Sequence, residues 1–251
     1  MSTAEIKDIQ NQPDHRRIAI QKVGVKNISY PITVLDKAKK VQHTVATVNM
    51  YVNLPHHFKG THMSRFIEIL NRFHGEINLR SFHHILVEMK VKLQAQAAHM
   101  EIEFPYFLKK RTNTPNNLGI GEYTCRMHGS LTDSDNLTLN VRVPVSPPRP
   151  VRIDDGLPRS FGHWGFADIC LKFRHFVWLE DLIQMVEEVT SQHLNTPECS
   201  DSALTVETLT KALGNRLAKH RDISWFSITV ENLSEGYSTF ASLESPSNPS
   251  N

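Results

Sequence analysis

Cysteine is scarce in this chain: three in 251 residues, Cys125, Cys170 and Cys199, far apart and in no CxxC arrangement. That pattern excludes a disulfide framework and a thiolate zinc finger, and reduced, partly buried thiols are expected instead. Long apolar runs are also missing. No stretch of about 18 apolar residues is available to span a bilayer, and Met1 to Arg17 is polar, without the apolar core of a secretory signal. A cytoplasmic protein with no membrane partner is the expectation. Nor does charge of one sign dominate: 28 Lys and Arg stand against 26 Asp and Glu, a formal net charge of +2. With no basic tract or basic helix face, a general nucleic-acid binder is not expected.

What the chain does have is an apolar fraction of 39%, enough for buried cores over most of its length, and an unusual 14 histidines, dense from His56 to His99. Most of these histidines are expected on solvated faces or in local hydrogen bonds, leaving a minority as ligands or proton carriers.

Periodicity gives the organisation. Arg17 to Lys26 alternates apolar and polar residues, and Val41 to Leu54 is rich in β-branched residues, so two strands come first. Met63, Phe66, Ile67, Leu70 and Phe73 recur at helical spacing, with Thr61 or Ser64 as N-cap and Gly75 as terminator. A second helix begins near Ser81 with the stripe Phe82, Ile85, Leu86, Met89 and Leu93. Alternation returns in HMEIEF from His99, and another strand is expected over Glu122 to Leu131. The second half repeats that order: strands near Leu137 to Val145 and Phe166 to Phe176, and a helix striped by Leu179, Leu182, Ile183, Val186 and Val189. A helix opening at Thr205 and strands over Ser224 to Asn232 and Tyr237 to Leu243 complete it.

Two copies of a ββααββ unit make this an α+β duplication with antiparallel sheets. The expected divisions are a polar N-terminal segment 1–16, modules 17–132 and 137–244, and a disordered tail 245–251. Exposed sheet edges are satisfied by side-by-side association into a closed barrel, which leads us to expect a homo-oligomer with sites at subunit boundaries.

The segments KVGVKNISYPITV, QHTVATVNMYVNLPHHFKGTHMSRFIEIL, AHMEIEFPYF and FVWLEDLIQMVEE resemble corresponding stretches of GTP cyclohydrolase type IB. The likeness is dense from Val23 to Tyr106, resumes at Val141 to Ser146 and Phe176 to Glu188, and thins toward the C-terminus. It implies the tunnelling fold, a homotetramer, and hydrolytic opening of the guanine imidazole ring of GTP. The implied products are formate and 7,8-dihydroneopterin triphosphate, in folate and pterin biosynthesis.

Such chemistry calls for a metal-activated water, a carboxylate that holds the guanine edge, and cationic or hydroxyl groups for the triphosphate. By resemblance Glu207, in LTVETLT, is the purine anchor; read alone it is a helix-start glutamate favoured by the helix dipole. The family metal set is depleted. Arg149, in VPVSPPRPVR, stands where the family has a cysteine, His163 in SFGHWG represents a family histidine, and His193 in SQHLN replaces a glutamate. EGYSTF, with Tyr237 nearby, stands in place of an HNH-like element.

Two imidazoles, His163 and His193, thus remain as metal ligands or acid–base groups, and Arg149 can only supply charge. A divalent metal (zinc, manganese or iron) is the cofactor implied, with a metal-free site as the other reading. In LPHHFKGTHMSRF, Lys59, His62 and Arg65 are candidates for phosphate or substrate binding at a helix start, while capping by Thr61 or Ser64 and loop packing by His56 and His57 are the plainer alternatives. The ligand is then GTP or a related purine or pterin. The rival readings are an inactive or regulatory paralogue that binds such a ligand, and an enzyme with altered chemistry on a pterin.

Overall fold

A computed structural model describes residues 20–54, 62–73, 79–109, 119–145, 164–195, 205–234 and 236–246. The expected N-terminal segment, Thr61, Gly75 and the last five residues of the tail lie outside them. In chain order the elements are β1 Ile20–Asp36, β2 Lys40–Leu54, α1 Met63–Arg72, α2 Leu79–Lys92, β3 Ala98–Lys109 and β4 Ile120–Leu131. Then follow β5 Asp135–Val145, β6 Gly165–Phe173, α3 Leu179–Asn195, α4 Val206–Ala218, β7 Ile223–Ser234 and β8 Tyr237–Glu244. This is strand, strand, helix, helix, strand, strand, twice over. The eight strands form one sheet in chain order, so β1 and β8 are its two edges.

Strand β1 runs ten residues beyond the Lys26 limit that alternation suggests. The pairing with β2 slips between Val25 and Ile28, and Asn27 takes φ 59° there. Its backbone N–H donates to Asn49 Oδ1 at 2.9 Å, so a β-bulge breaks the period-two pattern while the strand continues. Pro31 is tolerated because β1 is an edge. The hairpin to β2 turns on Asp36, whose Oδ1 accepts from the N–H groups of Ala38 (2.9 Å) and Lys39 (2.6 Å). A second departure is at α1: its N-cap is His62, which makes no side-chain cap bond, so Ser64 is not the cap and lies inside the helix.

By packing, the chain divides into two compact units. One takes Met1–Phe104 with Arg126–Leu137, the other Pro105–Cys125 with Thr138–Asn251. The far part of the β3–β4 pair, placed in the first module by element order, therefore packs within the second unit. In the first unit, Val48, Met50, Val52, Met100 and Ile102 put one sheet face against Phe66, Ile69 and Leu70 of α1 and Phe82, Ile85, Leu86 and Met89 of α2, all essentially inaccessible. Gly24 allows β1 close to β2: a Cβ there would stand 2.0 Å from the Met50 carbonyl oxygen.

In the second unit, Val141, Val143, Ile169, Leu171, Ile228 and Val230 are buried together with Leu182, Ile183 and Val186 of α3 and Leu209, Leu213 and Leu217 of α4. Two hydroxyl–carboxylate bonds tie α3 down. Tyr106 Oη donates to Glu180 Oε1 at 2.6 Å, and Tyr123 Oη donates to Glu187 Oε1 at 2.5 Å. Glu180 and Glu187 are seven residues, or two turns, apart and so share a helix face. Burial first, and then the Glu187 carboxylate, push the Tyr123 phenol well above its ordinary range, so it stays protonated as a donor. Burial likewise pushes the Cys125 thiol up to about 12, which makes it an inert core group.

Removing the Tyr106 hydroxyl takes a donor from a buried carboxylate. Tyr106→Phe is expected to lower stability by about 1–3 kcal/mol in urea unfolding. A change under about 0.5 kcal/mol would show that the bond contributes nothing net.

Candidate functional site

Helix α4 opens with a capping box. The Thr205 hydroxyl accepts from the Thr208 backbone N–H at 3.2 Å, and the Thr208 hydroxyl accepts in return from the Thr205 backbone N–H at 3.2 Å. The box fixes the first turn, and with it Glu207, whose side chain is exposed. Its own backbone N–H, then the Thr205 hydroxyl, and also Lys211 one turn on, hold the Glu207 carboxyl below its usual range. The group is an oriented, ionised carboxylate facing solvent.

His193 lies in the last turn of α3, and its side chain falls outside the described part of the structure. A cavity of about 360 Å³ shows how the two helices run. Asp181, Gln184 and Glu188 from the first ten residues of α3 line it together with Arg216 from the end of α4 and Lys219 and His220 just beyond. The helices are therefore antiparallel, and His193 and Glu207 share the opposite end of the pair. Both expected residues belong to the second unit, on successive helices.

The remaining expected residues are dispersed or lie elsewhere. Lys59, Arg149 and His163 are outside the described residues. His62 is half-buried at the start of α1. Arg65, one turn further, donates from Nη1 to the Lys92 carbonyl at 3.2 Å and so closes the end of α2, a structural use not foreseen for it. Among the described residues, no group of three or more His, Cys, Asp or Glu is placed to hold a metal ion.

One constellation was not singled out from the sequence. On the sheet face of the first unit opposite its helices, Tyr51 stacks on His99 with ring centroids 4.9 Å apart and planes 13° from parallel. The Lys22 ammonium stands 4.7 Å from the Tyr51 ring centre. Glu101 accepts from Asn49 Nδ2 at 3.1 Å and from Tyr51 Oη at 3.2 Å. Register explains the convergence, because Asn49 pairs with Glu101 and Tyr51 with His99 across β2 and β3.

Burial pushes the Glu101 carboxyl up. The Asn49 and Tyr51 donors outweigh that push, with help from His128 and Lys22, and hold it below its ordinary value. His99 is lowered, by burial first, then by His128 and Lys22, against an opposing pull from Glu101. The signal was present in the alternation of NMY and HMEIE: the residues between the apolar ones share the opposite face.

Comparison with known proteins agrees with this architecture and these motifs. The family model described as type I GTP cyclohydrolase folE2 matches residues 6–197. A protein from Pelobacter propionicus named GTP cyclohydrolase FolE2 is 42% identical over 250 residues, covering 94% of this chain and 97% of its own. Its namesake from Geobacter metallireducens is 41% identical over 250 residues, with 94% and 96% covered.

Among solved structures, uricase from Arthrobacter globiformis superposes with a TM-score of 0.57 at 6% identity, covering 92% of this chain and 96% of that one. A uricase from Bacillus fastidious gives 0.56 at 9% identity, with 90% and 92% covered. At those identities the likeness shows a shared tunnelling fold and nothing of chemistry. Sequence likeness over nearly the whole length carries the further conclusion: this chain belongs to the type I GTP cyclohydrolase FolE2 family.

Proposed function

We propose that the protein is a cytoplasmic GTP cyclohydrolase that converts GTP to 7,8-dihydroneopterin triphosphate and formate in folate and pterin biosynthesis. The observation that carries this reading is 42% identity to a protein of that name over 94% of the chain. Such full-length likeness weighs against an inactive paralogue.

Glu207 suits the role of purine anchor. An ionised carboxylate offers about four acceptor positions; its own N–H and Thr205 take some, and the rest can accept the paired N–H groups of a guanine edge. His193 and His163 are assigned as acid–base groups by resemblance. Lys59, His62 and Arg149 are assigned to the triphosphate or other anionic parts of the substrate. Arg65 is assigned with them through the nitrogens that do not bond the Lys92 carbonyl.

The donor set assigned by resemblance is short for a metal centre: two imidazoles, His163 and His193, fall below the three protein ligands typical of a catalytic zinc. No step is therefore routed through a metal.

A homotetramer fits the edges of the sheet. Tyr237 and Phe240 on β8 are 67% and 68% exposed, and strands β1 and β8 each offer one unpaired side to a second copy. Equilibrium sedimentation of the purified chain is expected to give four copies, and a monomer at micromolar concentration would exclude that assembly.

Formate release from GTP tests the activity, assayed before and after chelation and with zinc or manganese restored. The expected result is formate in stoichiometric yield with the pterin product; a folded chain that releases none refutes the proposal. Glu207→Gln keeps the shape and removes the charge, and should raise the KM for GTP about 10- to 100-fold. An unchanged KM would remove Glu207 from the site.

A further inference from the structure

None of the residues assigned to the substrate lines the cavity of about 360 Å³ in the second unit. Every residue that does line it lies between Val177 and Ile223, inside that one unit. Its floor is apolar: Leu182, Met185 and Ile223 belong to the buried core, with Val177 beside them. Its volume falls at the lower end of the range for small-molecule sites, roughly 300–1,000 Å³.

The polar lining is divided by charge and by helix. Asp181, Gln184 and Glu188 come from α3, and Arg216, Lys219 and His220 from the last turn of α4 and the residues after it. Helix dipoles favour acids early in α3 and bases late in α4, which accounts for Asp181, Arg216 and Lys219 one by one. It does not account for their lining a single open space over an apolar floor. Glu188 accepts from Gln184 Nε2 at 2.9 Å. Among the described residues, neither Arg216 nor Lys219 forms an ion pair with Glu188 or with any other carboxylate.

The basic wall is formed in advance. Asp222 N–H donates to His220 Nδ1 at 3.4 Å, so the neutral ring carries its proton on Nε2 and is a donor there. The turn bearing His220 is pinned to the chain leading into α3. The N–H groups of Arg174 and His175 donate to the Asp222 carbonyl at 2.7 and 3.5 Å, and His175 Nδ1 stands 3.1 Å from Asp222 Oδ1. A wall held in this way adds little ordering cost to binding.

A ligand that satisfies this lining carries an anion for Arg216, Lys219 and His220, a cation for Asp181 and Glu188, and an apolar body for the floor. A simple anion meets the acidic wall, a simple amine meets the basic one, and a wholly apolar molecule desolvates both walls without pairing either.

We propose that the cavity binds a small zwitterion with an aliphatic body, of the class of apolar α-amino acids and their dipeptides. Its carboxylate lies on the α4 side and its ammonium on the α3 side. Arg216 stands nine residues (216 − 207) after Glu207 on the same helix, roughly 13 Å along the axis, so this site is separate from the purine anchor.

Met185 in the floor supplies a reporter, since the chain has seven methionines. The full chain, isotope-labelled at its methionine methyl groups, is titrated with leucine and with leucyl-leucine. The Met185 resonance in NMR spectra is identified by its loss in Met185→Leu. One or both probes should move that resonance saturably, with a Kd of about 1 mM or below. The tighter of the two tells whether the free amino acid or the peptide is the better occupant.

Leucinamide, which lacks the carboxylate, and isocaproate, which lacks the ammonium, should each bind about 10-fold or more weakly than leucine. Arg216→Gln should erase most of the preference for leucine over leucinamide, and Glu188→Gln most of the preference over isocaproate. Both changes are at exposed side chains, so the fold is expected to stand. A Met185 resonance unmoved by either probe at about 10 mM overturns the proposal. So do equal affinities for leucine, leucinamide and isocaproate, or preferences that both variants leave intact. Binding is read without turnover, so the outcome is independent of whether GTP is hydrolysed.

Discussion

The placement of α3 is the constraint on which most of the second unit depends, and two tyrosine hydroxyls set it. Tyr106 and Tyr123 grip Glu180 and Glu187 on one face of the helix, one bond in the buried core and the other two turns along. Apolar packing alone lets a helix slide or roll among near-equal positions, since its energy is non-directional. Hydrogen bonds to carboxylates are directional, and two of them two turns apart fix both rotation and axial position. With α3 fixed, α4 packs antiparallel against it, and the ends bearing His193 and Glu207 come to the same side. The two bonds also join motifs far apart in sequence: Tyr106 belongs to AHMEIEFPYF, and Glu180 and Glu187 to FVWLEDLIQMVEE.

Much of the fold was legible because its signals are local. Alternation in HMEIEF and SWFSITVEN, the leucine stripe of α4 and the Thr205 cap each rest on a few neighbouring residues, and each element formed where its pattern lies. What was not legible depends on partners distant in sequence. The bulge at Asn27 is held by Asn49, twenty-two residues on, so the second half of β1 could not be read from its own pattern. The start of α1 at His62, with no side-chain cap, runs against local preference and is set by packing of Phe66, Ile69 and Leu70.

The site was less legible than the fold. Glu207 is read from the sequence as a helix-start glutamate, and the structure adds a reason for its ionisation: an N-terminal turn organised by Thr205 and Thr208. Arg65, a candidate substrate cation by sequence, also bonds the last turn of α2, a contact that no spacing rule reveals. The stack of Lys22, Tyr51 and His99 is not legible in the sequence because it is a cross-strand object, visible only once the register of β1, β2 and β3 is known. Uricases share the architecture at 6–9% identity, which is a reminder that this scaffold constrains where a site can be built far more than what it does.

The assignment of Pro105–Cys125 to the second unit has a consequence for synthesis. The ribosome makes Tyr106 and Tyr123 ahead of the rest of that unit, and their partners Glu180 and Glu187 follow Cys125 by about 60 residues. At roughly 5–20 residues per second, that interval lasts on the order of 3–12 s. Through it the inward faces of a nascent hairpin wait for a helix not yet translated, an apolar surface that trigger-type chaperones are suited to shield. Fusing or truncating the gene between the two repeats lengthens that wait or makes it permanent, so the repeat boundary in the sequence is a poor place to cut the chain.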